Sequence, residues 1–173
     1  MKWIDEKFER KGDDVNTLFE RAGALGALLK ARKETVSVAE SSSGGLVSAA
    51  LLSVPGASAY FAGGSVIYTQ NARRKLLKVS EEIATMRGAN EEFALIVAKK
   101  ARERLSSTWG ICETGATGPS GNRYGDAAGH VCIAVAGPTN AAMTLETGSA
   151  EREENMWEFA QAALDFLRAT IEG

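Results

Sequence analysis

The sequence predicts an α/β fold: three layers, α/β/α, built around a mixed β-sheet in a single domain. Strand-like and helical segments alternate through most of the chain, two strand-like runs follow one another late as a hairpin, and an amphipathic helix closes it. A length of 173 residues with 45% hydrophobic content suits one proper core and is too short for two comfortable ones. No internal repeat or low-complexity segment is visible.

Residues 1–14 are charged and lack periodicity, so they read as a mobile or edge-packed arm, leaving 15–173 as the domain. Asp13 or Asp14 would cap a helix whose apolar face is Val15, Leu18, Phe19, Ala22, Leu25 and Leu29, with Lys30, Arg32 and Lys33 near its negative dipole end. Val36 and Val38 alternate with small polar residues, the pattern of a half-buried strand. Leu46, Val47, Ala50 and Leu51 then recur at helical spacing until Pro55-Gly56 stops them. The switch of period falls on Glu40-Ser41-Ser42-Ser43-Gly44-Gly45. Three hydroxyls thus sit where a strand hands over to a helix N-terminus, whose free N–H groups and positive dipole end attract anions or a developing oxyanion. A serine there can serve as a nucleophile, and Ser42 or Ser43 can equally serve as a plain helix cap.

A strand is expected at about 62–69, with Tyr68 at its end, because Val66-Ile67-Tyr68 is β-branched and aromatic and follows two glycines. Ala72 to Val79 reads as a short helix carrying Arg73-Arg74-Lys75. Ser80 and Asn90 are helix starts, the second opening a long helix to Leu105 with a core stripe of Phe93, Val97, Ala101 and Leu105. Trp109 to Thr114 is a strand that runs into the glycine-rich loop Gly115 to Gly121. That loop could offer a phosphate several backbone N–H groups, and it matches neither a Walker loop nor a Rossmann turn. His130 to Ala136 and Ala142 to Thr147 form the hairpin, across Thr139-Asn140. Met156, Trp157, Ala160, Leu164, Leu167 and Ile171 mark the closing helix.

A net charge of −2 provides no overall basic field, which argues against nucleic acid as the partner and for a small molecule. The two cysteines, Cys112 and Cys132, lie in apolar strand runs and read as buried free thiols. One histidine and no paired Cys/His spacing leave no ordinary zinc site, and neither a metal nor a cofactor is expected. Met1 to Lys7 is charged rather than the apolar core of a signal peptide, and no run of about 18 apolar residues occurs. A cytoplasmic protein without membrane contact is the expectation; a homodimer is left open.

Glu40-Ser41-Ser42-Ser43-Gly44-Gly45-Leu46 resembles the Glu-Ser-Cys-Thr-Gly-Gly signature of the CinA C-terminal domain family, whose characterised members are nicotinamide-nucleotide amidases. The resemblance continues in Pro55 to Phe61, Gly63 to Thr69, Leu76-Leu77, Thr114 to Gly121 and Gly129-His130-Val131, and spans about Leu18 to Ile171. It implies hydrolysis of the amide of nicotinamide mononucleotide to nicotinate mononucleotide and ammonia, without a metal, by a serine assisted by a lysine and a tyrosine. Carried over by position, the serine is Ser41 and the tyrosine Tyr68, but the lysine, five residues beyond the tyrosine, is here Arg73. Glu40, Ser42, Ser43, Gly44, Gly45, Thr114, Gly115, Gly118, Gly121 and His130 are the accompanying substrate-binding candidates.

Arginine stays protonated and only donates, so Arg73 can neutralise a phosphate or an oxyanion but cannot take a proton from Ser41. Lys75 lies about 200° around the helix from Arg73. Glu40 and His130 are the remaining candidates for a base. Two readings follow: an amidase of altered rate or substrate, or a non-catalytic paralogue that binds a phosphorylated nucleotide through Ser41, Arg73 and the Gly115 to Gly121 loop.

Overall fold

The structure, a computed structural model, describes residues 12–173. In chain order it comprises α1 (Gly12–Arg32), β1 (Val36–Glu40), α2 (Leu46–Ser53), a 3₁₀ turn at Ala57–Ala59, β2 (Phe61–Val66), α3 (Gln70–Leu77), α4 (Glu81–Thr85), α5 (Glu91–Leu105), β3 (Trp109–Ala116), β4 (His130–Ala136), β5 (Ala141–Glu146) and α6 (Arg152–Glu172). Residues 1–11 of the expected arm lie outside the described residues, as do the side chains of Asp13, Asp14 and Val15. Residues 12–14 belong to α1 rather than to an arm.

The five strands form one mixed sheet in the order β2-β1-β3-β4-β5, parallel across the first three and antiparallel across the last three. Alternate side chains divide it into two cores. Val36, Val38, Ile111, Val131, Ile133 and Val135 pack with α1, α2 and α6 on one face. Ala39, Cys112, Cys132, Ala134 and Ala136 pack with α3, α4 and α5 on the other. The fold is therefore the α/β one that the alternation of periods predicts.

Several details differ from the sequence reading. β1 is buried along its whole length rather than half-buried, because it lies between β2 and β3 with helices on both faces. Its polar Ser37 is satisfied internally by the Ser107 hydroxyl at 2.9 Å, so polarity in this strand does not signal solvent. β2 stops at Val66, which leaves Tyr68 beyond the strand. The Phe19 and Leu105 side chains, read as core, are 39% and 47% exposed. Gly115 and Ala116 extend β3 instead of opening the loop, since they pair with Val131 and His130.

α5 lies close on the sheet because Gly110 has no side chain. A Cβ there would come 2.1 Å from the Ala98 carbonyl oxygen and 2.7 Å from the Arg102 Cβ. Both neighbours belong to a regular helix and cannot yield separately. Gly110→Ala is expected to cost about 1–3 kcal/mol as an overpacking substitution, seen as a drop of about 3–10 °C in melting temperature. An unchanged melting temperature would mean that α5 slides on the sheet without penalty.

Candidate functional site

Chain topology fixes where a site can form. The β1-to-β2 connection passes over one face through α2, and the β2-to-β3 connection returns over the other through α3, α4 and α5. The two connections therefore leave in opposite directions between β1 and β3, and a crevice opens at the carboxyl ends of those strands. In register, Glu40 pairs with Val66 and Ala39 with Cys112, so Ser41, the residues after Val66 and the end of β3 emerge together. A cavity of about 330 Å³ occupies this place, lined by Ser41, Tyr68, Gln70, Arg73, Gly88, Ala89, Gly115, Asn122, Arg123 and Tyr124. The volume lies in the lower range for small-molecule pockets.

The serine turn beneath this cavity is held by two buried carboxyl groups. Glu40 accepts the amides of Gly45 and Val47 at 3.0 Å and of Ser48 at 2.9 Å, together with the Ser48 hydroxyl at 2.5 Å and the Ser43 hydroxyl at 2.9 Å. It thus caps α2 from below, and Ser42 and Ser43 do not cap it. Glu113, on β3, accepts the amides of Ser41 and Ser43 at 3.1 and 2.8 Å, the Ser43 hydroxyl at 2.7 Å and the Ser42 hydroxyl. The turn can close this tightly because Gly44 and Gly45 are left-handed, at φ 68° and 105°.

The expected oxyanion donors at the start of this helix need correction accordingly. The amides of Gly45, Val47 and Ser48 are already spent on Glu40, and that of Leu46 goes to the Ser43 carbonyl at 3.3 Å. The Ser42 and Gly44 amides are the ones in the turn that neither carboxyl group nor Ser43 engages. Burial raises the Glu113 carboxyl above its ordinary value, against the opposing pull of the serine bonds. The Ser43 hydroxyl has one proton and faces an oxygen of each glutamate, so it can donate to only one of them at a time.

Arg73 forms part of the cavity wall. Its Nη1 donates to the Ala84 and Met86 carbonyls, both at 3.3 Å, and its guanidinium lies 4.3 Å from the centroid of the Phe93 ring. The Nε is buried without a hydrogen-bond partner, and Arg73 makes no ion pair among the described residues. Burial pulls its pKa down, and the charge of Arg123 pulls in the same direction. Arg74, by contrast, is committed to Glu81 through two bonds at 2.5 Å. Lys75 is exposed and absent from the lining.

Ser41, Tyr68, Arg73 and Gly115 of the predicted residues thus share one cavity. Ser41 is 8% exposed and its hydroxyl makes no hydrogen bond among the described residues, whereas Tyr68 is 59% exposed. Glu40, Ser42 and Ser43 lie underneath, within the carboxyl network. The Thr114 hydroxyl accepts the Ala89 amide at 3.3 Å and so supports the rim. Gly118 and Gly121 turn elsewhere, one against the Ala150 carbonyl and the other against that of Asp126. His130 does not line the cavity. Its Nδ1 faces Glu146 and its Nε2 the Ala89 carbonyl at 3.0 Å, two acceptors that ask both ring nitrogens to carry protons. Although burial lowers its pKa, these two bonds outweigh that effect and raise it, which favours the protonated ring.

Gln70, Gly88, Ala89, Asn122, Arg123 and Tyr124 line the cavity without having been singled out from the sequence. Glu113 was missed as well, though a carboxylate inside an apolar strand run is itself a signal that partners wait for it.

The chain matches the sequence model of the CinA C-terminal domain over residues 19–171. It is 38% identical over 165 residues to a CinA-like protein of Synechocystis sp., covering 93% of this chain and 39% of that one. A CinA-like protein of Solibacter usitatus is 35% identical over 170 residues, 98% of this chain and again 39% of the relative. The chain therefore spans about two fifths of the length of these curated relatives. Among solved structures, a CinA superfamily protein of Escherichia coli superposes with a TM-score of 0.82 at 26% identity, covering 96% of this chain and 94% of that one. The competence/damage inducible protein of Agrobacterium tumefaciens gives 0.80 at 29%, covering 91% and 96%. Among the described residues, no helix is long and apolar enough to cross a membrane and no cluster of three or more metal-binding side chains occurs.

The two glutamates should respond differently to amide replacement. Glu40→Gln places an NH₂ where backbone and hydroxyl donors converge on both oxygens, and should cost about 2–4 kcal/mol through buried unpaired donors. In Glu113→Gln the amide oxygen can take the two backbone N–H groups while its NH₂ faces Ser42, so the loss should be smaller. Because the folded-state pKa of Glu113 is raised, the stability it contributes is present below the unfolded value of about 4.3 and lost as pH rises through the folded value. Chemical denaturation from pH 4 to about 8 should therefore show a downward slope in the wild type that Glu113→Gln diminishes. Equal destabilisation by both substitutions would refute the neutral form of Glu113.

Proposed function

The chain belongs to the CinA C-terminal domain family, and from that premise we propose that it binds a phosphorylated small molecule of the mononucleotide class beside Ser41, with amide hydrolysis disabled for want of a base. One observation carries this reading. The cavity lining contains two guanidinium groups, those of Arg73 and Arg123, and no carboxylate. A half-buried cation with no ion pair among the described residues favours an anionic ligand.

The chemistry of hydrolysis supports the second half of the proposal. Attack by Ser41 on an amide needs a proton acceptor, donors for the oxyanion and an acid for departing ammonia. Arg73, at the position the resemblance gives to lysine, cannot accept a proton. Glu40 and Glu113 are engaged by the donors of the turn and share the Ser43 hydroxyl, and His130 faces Glu146 and the Ala89 carbonyl outside the cavity. Donors are less scarce, since the Ser42 and Gly44 amides remain. A second reading, slow amide hydrolysis, draws on the unbonded Ser41 hydroxyl and on Tyr68 in the same cavity.

Calorimetry with nicotinamide mononucleotide and its riboside, together with an ammonia assay, tests the proposal. The mononucleotide should bind, more weakly at high salt and at least about tenfold more weakly to Arg73→Ala, the loss of roughly one charge-assisted bond. Ammonia release by the wild type should stay at background. Arg73→Lys should raise it by about 10²-fold or more, the usual contribution of a placed general base. Equal binding of the riboside would remove the phosphate from the argument, and rapid wild-type release that Ser41→Ala abolishes would establish the amidase instead.

A further inference from the structure

The two cations of the cavity differ in setting. Arg73 is half-buried, with Nη1 fixed by the Ala84 and Met86 carbonyls and Nη2 beside Gly88, where a Cβ would approach it to 2.9 Å. Arg123 stands on the exposed loop between Gly121 and Asp126. Its Nη2 donates to the Tyr124 hydroxyl at 2.6 Å, and its guanidinium lies 4.8 Å from the centroid of that ring. These are neutral partners, and Arg123 makes no ion pair among the described residues. The neighbouring cation Arg87 is already paired with Asp126.

The backbone that carries Arg123 is well anchored. Asn122 Oδ1 accepts the amides of Tyr124 and Asp126 at 2.9 and 3.2 Å, Asn122 Nδ2 donates to Asp126 Oδ2 at 2.7 Å, and the Asn122 amide donates to the Asp126 carbonyl at 3.0 Å. Only the exposed side chain has to be ordered on binding, which lowers the entropic cost of using it. The two like charges also feel each other, since the charge of Arg123 depresses the Arg73 pKa. An anion that contacts only one guanidinium leaves the other uncompensated in the same cavity, whereas one with two linked charged groups relieves both.

We propose that Arg123 is a second anion-binding residue and that the cavity selects a ligand carrying two linked phosphoryl groups, as in a nucleoside diphosphate, with one group at Arg73 and the next at Arg123. This rests on the reading of the cavity as an anion site. It makes the loop from Asn122 to Tyr124 the element that sets ligand length and charge, while Arg73 provides the inner contact common to mono- and diphosphates.

Inorganic phosphate and inorganic pyrophosphate, titrated by calorimetry at one ionic strength into the wild type, Arg123→Gln, Arg123→Lys and Arg73→Gln, separate the possibilities. Pyrophosphate carries more charge and would favour any cationic surface, so the decisive quantity is how the preference depends on residue 123. Wild-type protein should prefer pyrophosphate by about tenfold or more, one charge-assisted contact. Arg123→Gln should reduce that ratio to within about twofold, because it weakens pyrophosphate by more than it weakens phosphate. Arg123→Lys should retain part of the preference, and Arg73→Gln should weaken both anions. An unchanged melting temperature in Arg123→Gln confirms that the exposed substitution leaves the fold intact. Equal wild-type affinities, or a ratio indifferent to Arg123→Gln, would overturn this inference and leave the single-anion site standing. Binding of neither anion would overturn both.

Discussion

Two carboxyl groups sealed beneath a serine turn are the constraint from which the site follows. A strand that ends in a sharp turn into a helix leaves backbone donors with no partner inside the helix, and here they lie below the surface where water cannot satisfy them. Glu40, at the end of β1, and Glu113, within the neighbouring parallel strand β3, reach them, engaging between them five amides and three hydroxyls. Gly64 on β2 belongs to the same arrangement, since a Cβ there would sit 2.0 Å from the Ser48 hydroxyl that bonds Glu40. The position of Ser41 is thus decided by three strands at once.

That arrangement separates building the site from operating it. The carboxyl groups that fix the turn are buried, bonded to the turn itself and absent from the cavity lining. The groups facing the cavity are hydroxyls, amides and guanidinium groups, well suited to holding negative charge and poorly suited to removing a proton. At the position the resemblance gives to lysine stands Arg73, and no carboxylate or histidine joins it in the cavity lining. Its side chain is stacked on Phe93 and bonded to two carbonyls at the end of α4, a setting that suits a flat, permanently charged donor.

Local signals in the sequence carried much of the fold. Ser80 and Asn90, read as helix starts, cap α4 and α5, each through a bond to an amide three residues on; Thr69, which was not singled out, caps α3 in the same way. The change from strand to helix period located Ser41, and the resemblance placed Tyr68 and Arg73 beside it. What remained hidden depends on partners far along the chain. Glu113 meets the serines across 70 to 72 residues, and His130 meets Glu146 and Ala89 across 16 and 41. The glycines of the Gly115 to Gly121 loop look like a phosphate cradle in one dimension, but Gly118 and Gly121 are spent on tight contacts with Ala150 and Asp126. The residues after them face the cavity instead. Strand register, which sets these meetings, cannot be read from residue types alone.

The cavity joins two parts of the molecule that should open at very different free energies. Its floor is made of amides bonded to carboxyl groups within the sheet core, and these exchange their hydrogens with solvent only when the domain comes apart as a whole. Its outer rim, from Asn122 to Tyr124, is held mainly by bonds within its own loop, so it can open as one local unit while the rest stays folded. A bound anion that bridges Arg73 and Arg123 would tie the second tier to the first. Slowed exchange in the rim alone would then record occupancy of the site, without any change in the amides below it.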